Sequence, residues 1–192
     1  DRVGEWSRNR CHHTSGSCIR VYMVWVPTKD PCNIKSGENP QILFNTTCWG
    51  VGKSCYIALR MGSIHNHHMT SIEGGAADWE TVFFDRGGSY SGDKQATDYL
   101  GIGHIQDSVF VGVLPQNMRS MTENANFKGR IIKLPQDENF LVKDSWFVNC
   151  KAVPVFTDCT MCWTPPMWRQ GAFTYRFSGL SFVNTSKRIF VM

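Results

Sequence analysis

Phe173-Thr174-Tyr175-Arg176-Phe177 alternates aromatic with polar residues. A period of two places Phe173, Tyr175 and Phe177 on one face, the pattern of a half-buried strand. The same signal recurs on both sides. Leu180 to Val183 and Arg188 to Met192 follow as short apolar runs. Upstream, Phe140 to Cys150 is one long run containing Trp146, Phe147 and Val148. Lys128 to Leu134 stops at Pro135, Val109 to Leu114 at Pro115, and Ile19 to Val26 at Pro27. Trp79 to Phe84 runs into Asp85-Arg86-Gly87-Gly88, which reads as a turn. Cys55 to Met61 sets Tyr56, Ala58 and Arg60 against Ile57, Leu59 and Met61. This amounts to about eight or nine strands. Helical spacing is weak, and Pro115 to Ala125 supports one or two turns at most.

Between the runs lie clusters such as Ser36-Gly37-Glu38-Asn39-Pro40 and Gly74-Gly75-Ala76-Ala77-Asp78. Gly permits positive φ and Pro presets φ, so these are turns with a mechanism. Strands and turns without intervening helices predict an all-β chain. The expected architecture is a single β-sandwich domain of jelly-roll type over 1–192, with long connecting loops and little helix. Gly62 to Asp78 and Asp85 to Thr97 are the longest expected connections, and such loops commonly carry recognition. No internal repeat is evident.

The composition, 42% hydrophobic and 19% charged over 192 residues, excludes a disordered chain. No run approaches the ~20 apolar residues of a membrane-spanning helix. The net charge of +4 is spread out, and Arg2, Arg8 and Arg10 are diluted by Asp1 and Glu5. Little or no direct nucleic-acid binding is therefore expected. Residue 1 is Asp and the first stretch is polar, so no cleavable secretory segment is read here. Removal of something upstream, by signal cleavage, polyprotein processing or choice of fragment, is the expectation.

Eight cysteines, Cys11, Cys18, Cys32, Cys48, Cys55, Cys150, Cys159 and Cys162, could all be bridged, and sequence does not choose the pairing. Oxidised extracellular and reduced intracellular states carry equal weight on this count. Asn45-Thr46-Thr47 and Asn184-Thr185-Ser186 are sequons, making Asn45 and Asn184 glycosylation candidates in a secreted chain.

Gly50-Val51-Gly52-Lys53-Ser54 looks like the end of a phosphate-binding loop, but Thr47 stands where the first Gly is needed and a strand follows. A tight hairpin turn explains it. His65, His67 and His68, with Cys11, His12 and His13, are residue types that suit zinc. One conceivable structural site pairs Cys159 and Cys162 with Cys11 and either His13 or Cys18. The competing expectation, taken here, is solvated loop histidines, bridged or buried cysteines, and no metal or other cofactor. No nucleophile elbow or paired carboxylates stand out, and Asp85, Asp93, Asp98 and Asp107 sit in turn contexts. His104 reads as a strand-edge histidine rather than a base. No catalytic residue is assigned and an enzyme is not expected.

Seven Trp and twelve Phe exceed what one small core needs. Trp163, Pro165, Met167 and Trp168 are the candidates for an interface, because Trp and Met concentrate in the buried centres of protein contacts. Ala76-Ala77-Asp78-Trp79-Glu80 before Val82-Phe83-Phe84, and Ser145-Trp146-Phe147-Val148-Asn149-Cys150 before Phe173-Thr174-Tyr175-Arg176-Phe177, resemble late strands of jelly-roll coat proteins of small icosahedral, picorna-like viruses. The resemblance implies one jelly-roll subunit of a virion capsid, acting without catalysis through homo- or hetero-oligomeric protein assembly. The alternative is a secreted, disulfide-bonded receptor-binding domain of a surface glycoprotein. A third expectation is a secreted carbohydrate-binding or hydrolytic β-sandwich protein.

Overall fold

The computed structural model describes residues 4–25, 28–30, 32–61, 64–74, 82–87, 102–112, 131–135, 139–150, 153–156, 174–185 and 189–190. The chain first forms β1 (Arg10–His12) and β2 (Ile19–Trp25), then an antiparallel pair, β3 (Thr28–Asp30) and β4 (Asn33–Glu38). From there it advances in groups of three. β5 (Gln41–Phe44), β6 (Thr47–Trp49) and β7 (Tyr56–Met61) form one group, and β8 (Ile64–His67), β9 (Thr70–Ile72) and β10 (Val82–Gly87) the next. β11 (Ile102–Gln106), β12 (Val109–Val111) and β13 (Ile132–Lys133) follow, then β14 (Asn139–Lys143), β15 (Trp146–Val148) and β16 (Val155–Phe156). β17 (Tyr175–Ser178), β18 (Ser181–Val183) and β19 (Ile189–Phe190) close the series.

Each strand pairs with its counterparts in the preceding and following groups. The result is a first face β5-β8-β11-β14-β17, a second face β1-β6-β9-β12-β15-β18 and a third face β2-β7-β10-β13-β16-β19. Ser7 bridges Phe44 and continues the first face into the first coil. Every described pairing except β3–β4 is parallel. The all-β expectation therefore holds, and the chain is a stack of coils with three faces, a β-solenoid. The expected jelly-roll sandwich is corrected, because that architecture pairs its strands antiparallel. The absence of a repeat is corrected too, since each coil repeats the last.

Several local expectations change with it. Phe140 to Cys150 is two strands, because Asp144 and Ser145 turn the chain between β14 and β15. Gly62 to Asp78 is not one loop, since β8 and β9 lie within it. Asp85, Arg86 and Gly87 continue β10 rather than turning. The expected helical turns at Pro115 to Ala125 fall outside the described residues.

The corners explain why the chain coils. All described residues with positive φ lie at two corners. Arg8, Asn45, His68, Asp107, Asp144 and Gly179 open the two-residue turn from the first face to the second, with φ between 46° and 61°. His13, Gly50, Glu73, Asn149 and Asn184 open the turn leaving the second face. Left-handed backbone suits Gly, Asn and Asp, which occupy seven of these eleven positions. At the first corner, Ser108 and Ser145 are fully buried. The Met69 amide donates to Ser108 Oγ at 3.0 Å, and the Ser108 amide donates to Ser145 Oγ at 3.3 Å. In these two coils a buried hydroxyl thus satisfies a backbone donor of the coil before it.

Inward side chains alternate with outward ones, as a pleated strand requires. Ile64, Ile105, Val142, Phe110, Phe147, Ile132 and Val155 are fully enclosed between the faces. Phe110, Phe147 and Phe182 stack along the second face, with centroids 5.4 and 5.3 Å apart and planes within 16°. Such ring pairs add about 0.5–1.5 kcal/mol each beyond area burial. A smaller cluster of Cys48, Val51 and Cys55, flanked by Cys11 and Cys18, fills the early coils.

Candidate functional site

Ile64 and Asn66 point inward from β8, and Ile105 does so from β11. Strand alternation therefore turns His65, His67 and His104 outward on the first face. His104 lies opposite His65 in the parallel register of β8 and β11. Their rings stack at 3.6 Å between centroids. His67 Nε2 is 2.9 Å from His104 Nε2, and the His65 and His67 rings are 4° from parallel. One ring nitrogen from each of the three lies within 4.8 Å of the others.

Burial lowers the His104 pKa to about 3, and the neighbouring His65, His67 and Lys143 push the same way. Burial also lowers His67, partly opposed by the Asp107 carboxylate. Both rings are therefore neutral at physiological pH, with a lone pair on one nitrogen. Ile42 and Phe44 flank the group on β5, facing His65 and His67, and both are 41% exposed. Phe44 also meets the His68 ring edge-on at 4.9 Å.

The histidines expected in solvated loops are thus in strands, apart from His13 and His68 at corners. His104, expected at a strand edge, sits in mid-face between β8 and β14. The i, i+2 spacing of His65 and His67 was a usable signal, but the arrival of His104 depends on register. The other histidine pair behaves differently. His12 stacks on Trp49 at 4.4 Å, and His12 Nδ1 is 2.9 Å from His13 Nδ1.

Cys11 bridges Cys18, and Cys48 bridges Cys55. The conceived zinc set of Cys159 and Cys162 with Cys11 and either His13 or Cys18 is corrected, because Cys11 is bridged to Cys18 and a bridged sulfur has no thiolate to offer. Cys159 and Cys162 lie outside the described residues. Among the described residues Cys32 and Cys150 are unbridged. Burial raises the Cys150 thiol to about 11. Gly50 to Ser54 is the corner segment closed by the Cys48–Cys55 bridge, and it carries the chain from the second face to the third rather than around a hairpin. Asn45 and Asn184 are both exposed, each at a corner. Asn45 lines a shallow polar depression with Arg8, Arg10 and Thr47. Asn184 Nδ2 donates to Asn149 Oδ1 at 2.9 Å in the neighbouring coil. The interface candidates Trp163, Pro165, Met167 and Trp168 lie outside the described residues.

Sequence reasoning missed the outward side of the second face. His12, Trp49, Ile72, Val111, Val148 and Val183 form one column across all its strands. Beside it Val109 stands opposite Trp146, which is 51% exposed. No described helix is long and apolar enough to cross a membrane. No protein-family model, curated protein or solved structure matches the chain.

Proposed function

We propose that this chain is an extracellular, non-enzymatic recognition module that holds a rigid face toward a protein partner. The carrying observation is the outward side of the second face. An exposed β-solenoid face is free to be polar, yet this one sets Val109 against Trp146 and Val111 against Val148 and Val183. A half-exposed Trp bordered by β-branched residues matches the aromatic anchor and apolar surround of protein interfaces. Two disulfides in successive coils support an oxidising compartment. Capsid assembly and receptor contact both need such a face, and the disulfides favour receptor contact.

A photo-crosslinking residue at position 146, with the same residue at exposed Arg176 on another face as control, tests this. A discrete protein adduct in extracellular material, formed from position 146 and not from 176, is the expected result. Equal labelling from both sites, or free thiols at Cys11, Cys18, Cys48 and Cys55 in the secreted protein, would count against it.

A further inference from the structure

We infer that His65, His67 and His104 form a binding site for a divalent first-row transition metal ion, zinc being the ion to test. The inference stands apart from the recognition role of the second face, since it concerns a different face and different residues. Three independent features meet here. The first is chemical: imidazole nitrogen is the donor that zinc, copper and nickel share, and three histidines with an open fourth position are a known zinc arrangement. The second is geometric. Tetrahedral zinc holds nitrogens at about 2.0–2.1 Å, which puts them about 3.4 Å from each other. His67 Nε2 and His104 Nε2 at 2.9 Å need only part by about half an ångström, and the third nitrogen is already within 4.8 Å. The third is rigidity. The ligands sit on two adjacent parallel strands, backed by the buried Ile64 and Ile105, so the scaffold fixes their separation.

The ring stack alone is a sufficient packing arrangement for two of these histidines. It does not require a third imidazole with its nitrogen converging on the same point. All three histidines are half-buried rather than enclosed, so the fourth position opens outward. It takes water or an oxygen ligand, and Lys143 on the neighbouring strand favours an anionic one.

Zn²⁺ titrated into the chelator-treated full chain tests the site, with bound metal counted after dialysis. One equivalent is expected, with a rise in melting temperature of roughly 5–10 °C at 100 times the dissociation constant. H104Q lowers affinity about 100-fold or more, since even outer-shell partners of metal sites matter 10- to 100-fold. The H12Q/H13Q double variant leaves binding unchanged. Co²⁺ with the unaltered chain gives the intense visible absorption of a tetrahedral site, a readout independent of how any variant folds. The inference is overturned if the chain binds no stoichiometric zinc, if Mg²⁺ competes equally, or if binding follows His12 and His13 instead of His104.

Discussion

In the inward column of the second face, the early coils carry Cys11, Cys48 and Ser71, and the later coils carry Phe110, Phe147 and Phe182. The backbone frame is the same in both halves, with the same two-residue corner and the same parallel register. The later coils fill the space with stacked rings that belong to the main core. The early coils hold cysteines and Val51 in a separate minor cluster, with a disulfide closing the corner in each of the first two. Where apolar volume is short, covalent cross-links stand in for it, which is the usual solution when a core is too small.

The largest expected effect falls in the later half. Phe147 is fully buried between two rings, so Phe147→Ala should cost about 3–5 kcal/mol by urea denaturation. Phe182→Ala, at a half-buried ring, should cost less. Equal losses at the two sites would mean that stacking does not build along the column.

Removing the Cys48–Cys55 bridge as a C48A/C55A pair should cost about 2–3 kcal/mol. Coils contact only their neighbours, so the loss should be local. Amide exchange should rise in β1, β6 and β7 and stay unchanged in β15 and β18. A uniform rise would erase the distinction between the halves.

Between them, β8 contributes an inward Asn66 that is 1% exposed, with neither side-chain polar atom hydrogen-bonded within the protein. Its column neighbours are Leu43 and Ile105. Asn66→Leu should stabilise by about 1–2 kcal/mol, because an unsatisfied buried amide costs that much. A loss on denaturation would show that the amide is satisfied in solution.

A pH-dependent effect concerns the seam that the histidines span. His104 has a folded pKa of about 3, below its ordinary value, so between the two the unfolded chain binds more protons than the folded one. Stability of the metal-free protein should be full above about pH 6.5, fall as the pH drops below it, and level off near pH 3. The urea midpoint at pH 7 and pH 4.5 measures this, and H104Q should flatten the difference.

How strands could be read and their arrangement could not follows from what a local pattern contains. Tyr175 and Phe177 show their apolar face by alternation alone, and they do pack on the core. Alternation is the same in parallel and antiparallel sheets, so the pattern could not reveal that Tyr175–Ser178 pairs with Phe140–Lys143. The repeat was hidden by unequal spacers. The link from third to first face spans 62–63 in one coil and 157–174 in another. Only the segment around the first corner keeps its length, as Lys143-Asp144-Ser145-Trp146 against Ser178-Gly179-Leu180-Ser181 shows. The histidine site was half legible: His65 and His67 share a face by spacing, while His104 joins them only through the coil register.

Each disulfide joins two residues seven apart inside a single coil, and no described bridge ties one coil to the next. Adjacent coils are held by the ladder hydrogen bonds, which run along the stacking axis. A pull applied to the two ends of the stack therefore loads those bonds one layer at a time, and the chain should lengthen in discrete steps as coils peel away. Oxidation would shorten only the steps of the first two coils, by the length of chain each bridge encloses, and would leave the peeling force between layers untouched.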